Sequence, residues 1–193
     1  MSMQQINISA KYITGGHVLM IICIAFYLIW WSVTFKPGGA ATAFGTICII
    51  AAFLFGAAGI VVNTLGLKSR TVGASVVPGW SIIVGGIVLY VILFAVFTLI
   101  FHRMLTTELF LIVGWAVLEI CTVNALRGTG IFGAGGSIAA VCIIGVTAVI
   151  CLICYMYYYK LDEVKGWIDG MIPLIISGIV ISGIAAAVFI RSR

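Results

Sequence analysis

One carboxyl group stands out because of its position in the sequence. Glu119 lies between Leu118 and Ile120 in an apolar stretch, and the next basic residue along the chain is Arg127. An acidic side chain at membrane depth costs about 2.5–3.5 kcal/mol on insertion scales, so such residues usually face a bundle interior or an aqueous path. Glu119 therefore predicts an ion, proton or substrate pathway. The alternative is a protonated glutamic acid that only bridges two helices.

Helical spacing places further polar side chains on the same face as Glu119. Steps of three and four residues bring Glu108, Trp115 and Thr122 onto that face. Two acids, a tryptophan and a threonine on one stripe are typical of a pore or pocket lining. For Glu108 there is a second interpretation, because an acid in the first turn of a helix also suits the positive end of the helix dipole.

Two asparagines and two histidines are the other polar side chains considered for a site. Asn63 and Asn124 lie near the predicted inner ends of the second and fourth apolar stretches. Each joins the predicted pathway or, alternatively, caps or bridges helices. His17 and His102 fall on opposite membrane faces when six spans are counted, and neither has a second ligand at metal-binding spacing. We therefore expect two interfacial histidines and no metal site.

Cys151 and Cys154 form a C-x-x-C pattern. A membrane thiol oxidoreductase needs thiolates that are stabilised by neighbouring positive charge, and the residues around this pair are uncharged. Cysteine as a small buried apolar residue is the better interpretation. The sequence also lacks the HExxH, GxSxG and Walker motifs. We therefore expect no catalytic residues, no cofactor and no enzyme activity.

The composition restricts the class of protein. Of the 193 residues, 64% are hydrophobic and only 8% are charged, and the mean hydropathy is +1.32. A soluble domain has about 25% charged residues, so a soluble, disordered or nucleic-acid-binding protein is excluded. The composition predicts one integral-membrane domain over residues 1–193 with the lipid bilayer as its surroundings.

Six stretches have the roughly 20 apolar residues that a spanning helix needs. The fold class expected is therefore an all-α polytopic bundle of six transmembrane helices. The stretches are about Gly16 to Phe35, Ala40 to Leu67, Pro78 to Phe101, Leu105 to Leu126, Gly135 to Tyr159 and Met171 to Ile190.

The distribution of basic residues predicts the orientation. With six spans, both termini lie on one side of the membrane, and that side carries Lys11, Lys68, Arg70, Arg127, Arg191 and Arg193. The opposite side carries Lys36, Arg103, Lys160 and Lys165. The positive-inside rule then predicts a multi-pass protein of the cell membrane with both termini in the cytoplasm.

Two pairs of similar segments suggest an internal duplication. A Gly-Gly turn follows the first and fourth spans at an offset of 97 residues, and a Pro-initiated Ile-Ile segment opens the third and sixth at an offset of 95 residues. Halves of three spans each are inverted with respect to one another, which is a common plan among transporters. The predicted halves are residues 12–103 and 104–193, and chance recurrence of Gly and Ile is the alternative.

The mid-span acid and the inverted repeat favour a transporter or channel for a small solute, an ion or a proton. The alternative is a non-catalytic membrane subunit or scaffold that associates with a membrane protein or with further copies of itself. Small residues at four-residue spacing motivate this alternative, because they let helices approach closely in lipid. These residues are Ala52 and Gly56; Ser81 and Gly85; and Gly178, Ser182 and Ala186.

Overall fold

The protein is a bundle of helices in a computed structural model that describes residues 3–68, 77–100 and 107–191. The helices are α1 (Met3–Thr34), α2 (Ala43–Lys68), α3 (Gly79–Leu99), α4 (Thr107–Gly128), α5 (Ala134–Tyr157) and α6 (Glu163–Arg191), with a 3-10 turn at Tyr158–Lys160. All six α-helices are long and apolar enough to cross a membrane, and these ranges contain no strand. The predicted fold class is confirmed: the chain is a multi-pass helical membrane protein.

Two helices begin earlier than the apolar pattern predicts. Helix α1 begins at Met3 rather than near Gly16, and α6 begins at Glu163 rather than near Met171. Hydropathy detects the membrane-embedded part of a helix, whereas polar residues that favour helix can extend it beyond the apolar stretch. At α6 the extension has a visible start, because Asp162 Oδ1 accepts a hydrogen bond of 2.9 Å from the backbone N–H of Lys165.

The helices pack in a defined order around α1 and α4. Helix α1 packs along α2 and also against α6, α4 packs against α3 and α5, and α5 packs against α6. If residues 12–103 and 104–193 were inverted repeats, α2 and α3 would correspond to α5 and α6. Helix α2 would then pack against α3 as α5 packs against α6. Extensive packing of α2 on α3 is absent from the described residues. The repeat stays a prediction.

Helices α1 and α2 approach each other so closely that their backbones touch. A Cβ atom on Gly16 would lie 2.8 Å from the backbone nitrogen of Asn63 and 2.9 Å from the carbonyl oxygen of Gly59. A Cβ on Gly59 would in turn lie 3.0 Å from the carbonyl oxygen of Gly16. Close packing of this kind is how helices associate in lipid, where burial of apolar surface provides no driving force.

Two clusters of buried apolar side chains hold the helices together, one towards each end of the bundle. The cluster at the end that holds the chain termini draws on α1, α4, α5, α6 and the α4–α5 connection, and its buried members are Ala10, Ile13, Val123, Leu126, Ile131, Phe132, Ile144, Ile184 and Val188. The opposite cluster consists of Phe97, Leu109 and Tyr155. Outward-facing side chains such as Phe53 and Ile87 are apolar and exposed, as expected for a surface that contacts lipid.

The α1–α2 contact leads to a prediction about stability. Gly16→Ala places a methyl group against backbone atoms that cannot move aside, so we expect the free energy of unfolding to fall by about 1–3 kcal/mol. Gly15→Ala is the matched control, because a Cβ there meets only Val62 Cγ1 at 3.9 Å. Unfolding in mixed detergent micelles measures both. Equal stability of the two variants would contradict the close contact.

Candidate functional site

The buried carboxyl of Glu119 meets the imidazole of His17. Glu119 lies near the middle of α4, and its Oε2 is 3.2 Å from His17 Nε2 on α1. Both side chains are 0% exposed. The expectation that His17 is interfacial is therefore wrong. The physical reason is the early start of α1, which places His17 more than three turns inside the helix. His102 lies outside the described residues.

The second ring nitrogen of His17 fixes how the pair can hold protons. His17 Nδ1 is 2.8 Å from the carbonyl oxygen of Ile13, one turn earlier in α1. A carbonyl oxygen only accepts hydrogen bonds, so Nδ1 carries a hydrogen and donates it. The Nε2–Oε2 contact then needs one further proton, because an unprotonated Nε2 and an ionised carboxylate would face each other with lone pairs.

That shared proton makes the pair electrically neutral. It resides either on Nε2, giving imidazolium and carboxylate, or on Oε2, giving imidazole and carboxylic acid. The net charge is zero in both forms, which removes the large cost of an uncompensated charge in a membrane interior. Gain of a second proton or loss of the shared one leaves a charge of one unit without a counterion. The sealed pair therefore holds one proton.

Asn63 lies at the same level of the bundle as the pair. Its backbone is adjacent to Gly16, and Leu67, one turn later in α2, packs against the cluster that contains Val123, one turn after Glu119. The Asn63 side chain is 0% exposed, and neither atom of its amide has a hydrogen-bond partner in the described part of the chain. Glu119 Oε1 is likewise buried, with no hydrogen-bond partner among the described residues. The site thus contains buried polar atoms with unused hydrogen-bonding capacity.

Trp115 and Thr122 lie one turn to either side of Glu119 on α4, as helical spacing predicts. Trp115 is half-buried, packs beside the apolar cluster at the terminal end, and has a buried indole N–H without a partner among the described groups. Thr122 is fully buried and donates its hydroxyl hydrogen to the carbonyl oxygen of Leu118 at 2.9 Å. The donor of Thr122 is therefore satisfied within its own helix.

Glu108 and Asn124 lie away from the pair. Glu108 is exposed in the first turn of α4, far from Glu119. Its negative charge acts on Tyr158 instead: burial raises the pKa of Tyr158, and Glu108 raises that pKa further. Asn124 forms two hydrogen bonds with the backbone of Val77, donating to the carbonyl oxygen at 2.7 Å and accepting from the N–H at 3.2 Å. Asn124 therefore anchors the entry to α3, which is the bridging alternative considered above.

The two cysteines of the C-x-x-C pattern are buried on α5. Cys151 lies one turn before Cys154, and both are free thiols. A separate surface cavity of about 390 Å³ lies between the α1–α2 connection and the start of α6. Its lining includes Lys36, Tyr158 and Trp167. Neither feature contacts the His17–Glu119 pair, which is sealed by the helices around it.

Sequence reasoning identified Glu119 but missed its partner. A signal was available by elimination, because a buried carboxyl group needs a cationic or hydrogen-bonding partner and every Lys and Arg lies near a span end. The two histidines were then the remaining basic side chains. Hydropathy placed the start of the first span at Gly16, and that boundary assigned His17 to the interface.

Comparison with known proteins finds no match: no family model, no curated protein and no solved structure is similar to this chain.

The pair leads to a thermodynamic prediction. His17→Leu leaves Glu119 buried without its partner, and we expect it to lower the free energy of unfolding by about 3–5 kcal/mol. Glu119→Leu leaves only a neutral imidazole unpaired and costs about 1–3 kcal/mol. The double leucine variant removes both polar groups, so most of the loss should be recovered.

Unfolding in mixed micelles measures all three variants as a double-mutant cycle. Glu163→Leu is the control, because that carboxylate is exposed at the start of α6 and its loss should change stability by less than about 0.5 kcal/mol. Additive losses in the double variant would show that the two side chains do not interact.

Proposed function

We propose that the protein is a transporter or channel for a small solute or ion, in which the His17–Glu119 pair binds and releases the proton that controls passage. The observation that carries this proposal is the placement of two ionisable side chains, 3.2 Å apart and both 0% exposed, between α1 and α4 in the middle of a membrane bundle. Ionisable residues inside a membrane domain mark ion, proton and substrate paths more often than they provide stability.

Energetics favour a functional role over a purely structural one. Two well-packed apolar side chains hold helices together as well as a buried ion pair does, or better, because they avoid the desolvation cost. A pair that only joined α1 to α4 would also use all its hydrogen-bonding atoms, yet Glu119 Oε1 and the Asn63 amide have no partner among the described groups. Unused polar atoms at this depth suit a site that exchanges its contents.

Passage of a solute or ion through the bundle requires that His17 and Glu119 separate. The sealed arrangement corresponds to an occluded state, and separation of α1 from α4 would bring His17 and Glu119 into contact with water. Neutrality of the pair makes the closed state favourable only with one proton in place. A change of protonation would therefore shift the balance between the closed and open arrangements.

The test is transport by the purified protein in liposomes. Uptake of a panel of small organic solutes and inorganic ions is measured by mass spectrometry of the liposome contents between pH 5 and pH 8. We expect pH-dependent uptake of at least one species. Glu119→Gln should lower it at least about tenfold and abolish its pH dependence, because the amide can bond to His17 but cannot titrate.

Glu163→Gln is the matched control and should transport like the parent protein, since this carboxylate is exposed at the membrane surface. Identical pH profiles for the parent and Glu119→Gln would remove the role given to the pair. Absence of uptake for every species in the panel would contradict transport altogether.

A second candidate is a non-catalytic subunit or scaffold, favoured by small residues that face outward. Ser182 and Ala186 are exposed on α6, and Gly85 on α3 has open space where its side chain would be. Ala52 and Gly56 behave differently, because Ala52 is buried and Gly56 faces Cys23 within the chain. Gly178 also faces a residue of the chain, Ile24 on α1. Gly85 on α3 and Ser182 and Ala186 on α6 are therefore the members of these patterns left for contact with another helix.

Light scattering of the protein in mild detergent tests this candidate. Self-association through α6 predicts a mass above that of the 20.6 kDa chain. Ser182→Leu combined with Ala186→Leu should convert it to the monomer, because bulky side chains prevent close helix contact. Ala58→Leu, at an exposed alanine of α2, is the control. A stable monomer that co-purifies with no other chain would argue against this candidate.

A further inference from the structure

The surface cavity of about 390 Å³ lies at the level where three of the spanning helices begin or end. Its lining is drawn from residues 34–39 and 158–167. The spans of α1 and α5 end at Thr34 and Tyr157, and that of α6 begins at Glu163. Lipid headgroups occupy this level, just outside the hydrocarbon core. The volume falls in the range of about 300–1,000 Å³ that small-molecule sites have, so the cavity is large enough for a headgroup.

Aromatic residues of the lining are held in place by Trp31. Phe35, Tyr158 and Trp167 line the cavity. The buried ring of Trp31 stacks on Phe35 with the ring centroids 4.4 Å apart, and its centroid lies 5.8 Å from that of Tyr158. The indole N–H of Trp31 donates to the carbonyl oxygen of Trp167 at 3.0 Å. Because one buried side chain contacts all three residues, they lose little freedom when a ligand binds. Aromatic groups of this kind bind positively charged nitrogen, as in choline.

The lining also carries charges of both signs. Lys36 provides an ammonium group, and Asp162 and Glu163 provide carboxylates. The carboxylate of Asp162 already pairs with Lys165, at 2.8 Å. In the described part of the chain, Lys36 and Glu163 form no ion pair. One positive and one negative charge are therefore left for a ligand, and a zwitterion complements both, whereas a simple anion or cation complements only one.

The backbone that carries Lys36 is a tight turn. The backbone N–H of Gly39 donates to the carbonyl oxygen of Lys36 at 2.6 Å, and Gly38 has a φ of +72°. Proline at the second position of a turn and a positive φ at the third are the pattern of a type II turn, and Pro37 and Gly38 supply them. The turn therefore presents Lys36 to the cavity from a fixed backbone.

We propose that this cavity binds the headgroup of a zwitterionic phospholipid, which is a phosphate diester that carries an ammonium or trimethylammonium group. Lys36 binds the phosphate, because a charge-assisted hydrogen bond to phosphate is stronger than one between neutral groups. The aromatic residues of the lining hold the positively charged nitrogen. Binding at this site is independent of the transport function, because the cavity does not contact the His17–Glu119 pair.

The surface beside the cavity favours a lipid over a free solute with the same headgroup. On α6, Val164 and Ile168 each follow a lining residue in the sequence, and both are exposed. These side chains provide apolar surface where the acyl chains of a bound lipid leave the headgroup. Contact along the acyl chains adds binding free energy that a soluble headgroup does not have.

Lipid binding by the purified, delipidated protein in detergent tests the proposal. Phosphatidylcholine, phosphatidylethanolamine and phosphatidylglycerol with identical acyl chains are added separately, and native mass spectrometry counts the lipids bound to each chain. We expect the first molecule of either zwitterionic lipid to bind about tenfold more tightly than phosphatidylglycerol, which has the phosphate but no positive charge. Equal affinity for all three lipids would overturn the proposal.

Two variants separate the phosphate contact from the contact with the cation. Lys36→Gln should weaken binding of all three lipids about tenfold, because each has a phosphate. Trp167→Leu keeps the backbone carbonyl that bonds to Trp31 and removes only the ring, so the preference for phosphatidylcholine over phosphatidylglycerol should fall below about threefold. Trp167→Phe restores a ring and should restore that preference. A preference that is the same in Trp167→Leu and in the parent protein would contradict the aromatic contact.

Lys160→Gln is the matched control, because Lys160 is an exposed lysine at the same end of the bundle and lies outside the cavity lining. It should bind all three lipids like the parent protein. Equal losses in Lys160→Gln and Lys36→Gln would show an effect of surface charge alone and overturn the site. Glycerophosphocholine, which has the headgroup without acyl chains, should not displace phosphatidylcholine at equal concentration. Displacement would make the occupant a soluble zwitterion and overturn the lipid.

Discussion

The shared proton between His17 and Glu119 is the constraint on which the arrangement of this bundle depends. A carboxyl group in a membrane interior is most stable when its charge is neutralised and both of its oxygens accept or share hydrogen bonds. His17 meets the first condition, because the proton between its Nε2 and Glu119 Oε2 makes the pair neutral. Its other nitrogen, Nδ1, donates to the carbonyl oxygen of Ile13 and is not available to Glu119. The second condition is half met, since Glu119 Oε1 has no partner among the described groups.

The packing of α1 brings the other members of the site to the same level. Gly16 and Gly59 let α1 and α2 touch through their backbones, and this contact places Asn63 beside the turn that carries His17. Helix α4 lies on α1 through the His17–Glu119 contact and through the apolar cluster one turn closer to the termini. One helix therefore positions polar side chains from two others, and its close contact with α2 requires glycine at positions 16 and 59.

Different parts of the site were predictable to different degrees. The depth of Glu119 and the positions of Trp115 and Thr122 followed from helical periodicity, because residues three or four positions apart share a face whatever the tertiary structure. Glu108 and Asn124 share the same helix but not the site, since Glu108 is exposed near one end and Asn124 bonds to the backbone of Val77. Periodicity assigns a face to a residue and does not identify the group opposite.

The sequence by itself determined that this is a membrane protein of six spanning helices with one carboxyl group in mid-span, because hydropathy and charge are properties of local stretches of chain. The sequence did not determine that His17 lies inside a helix, because the residues before Gly16 are polar and hydropathy does not detect a helix there. The tertiary structure alone decided that His17 and Glu119, which are 102 positions apart, lie within hydrogen-bonding distance of each other. Contacts between distant helices depend on how close the backbones come, and here glycines on α1 and α2 set that distance.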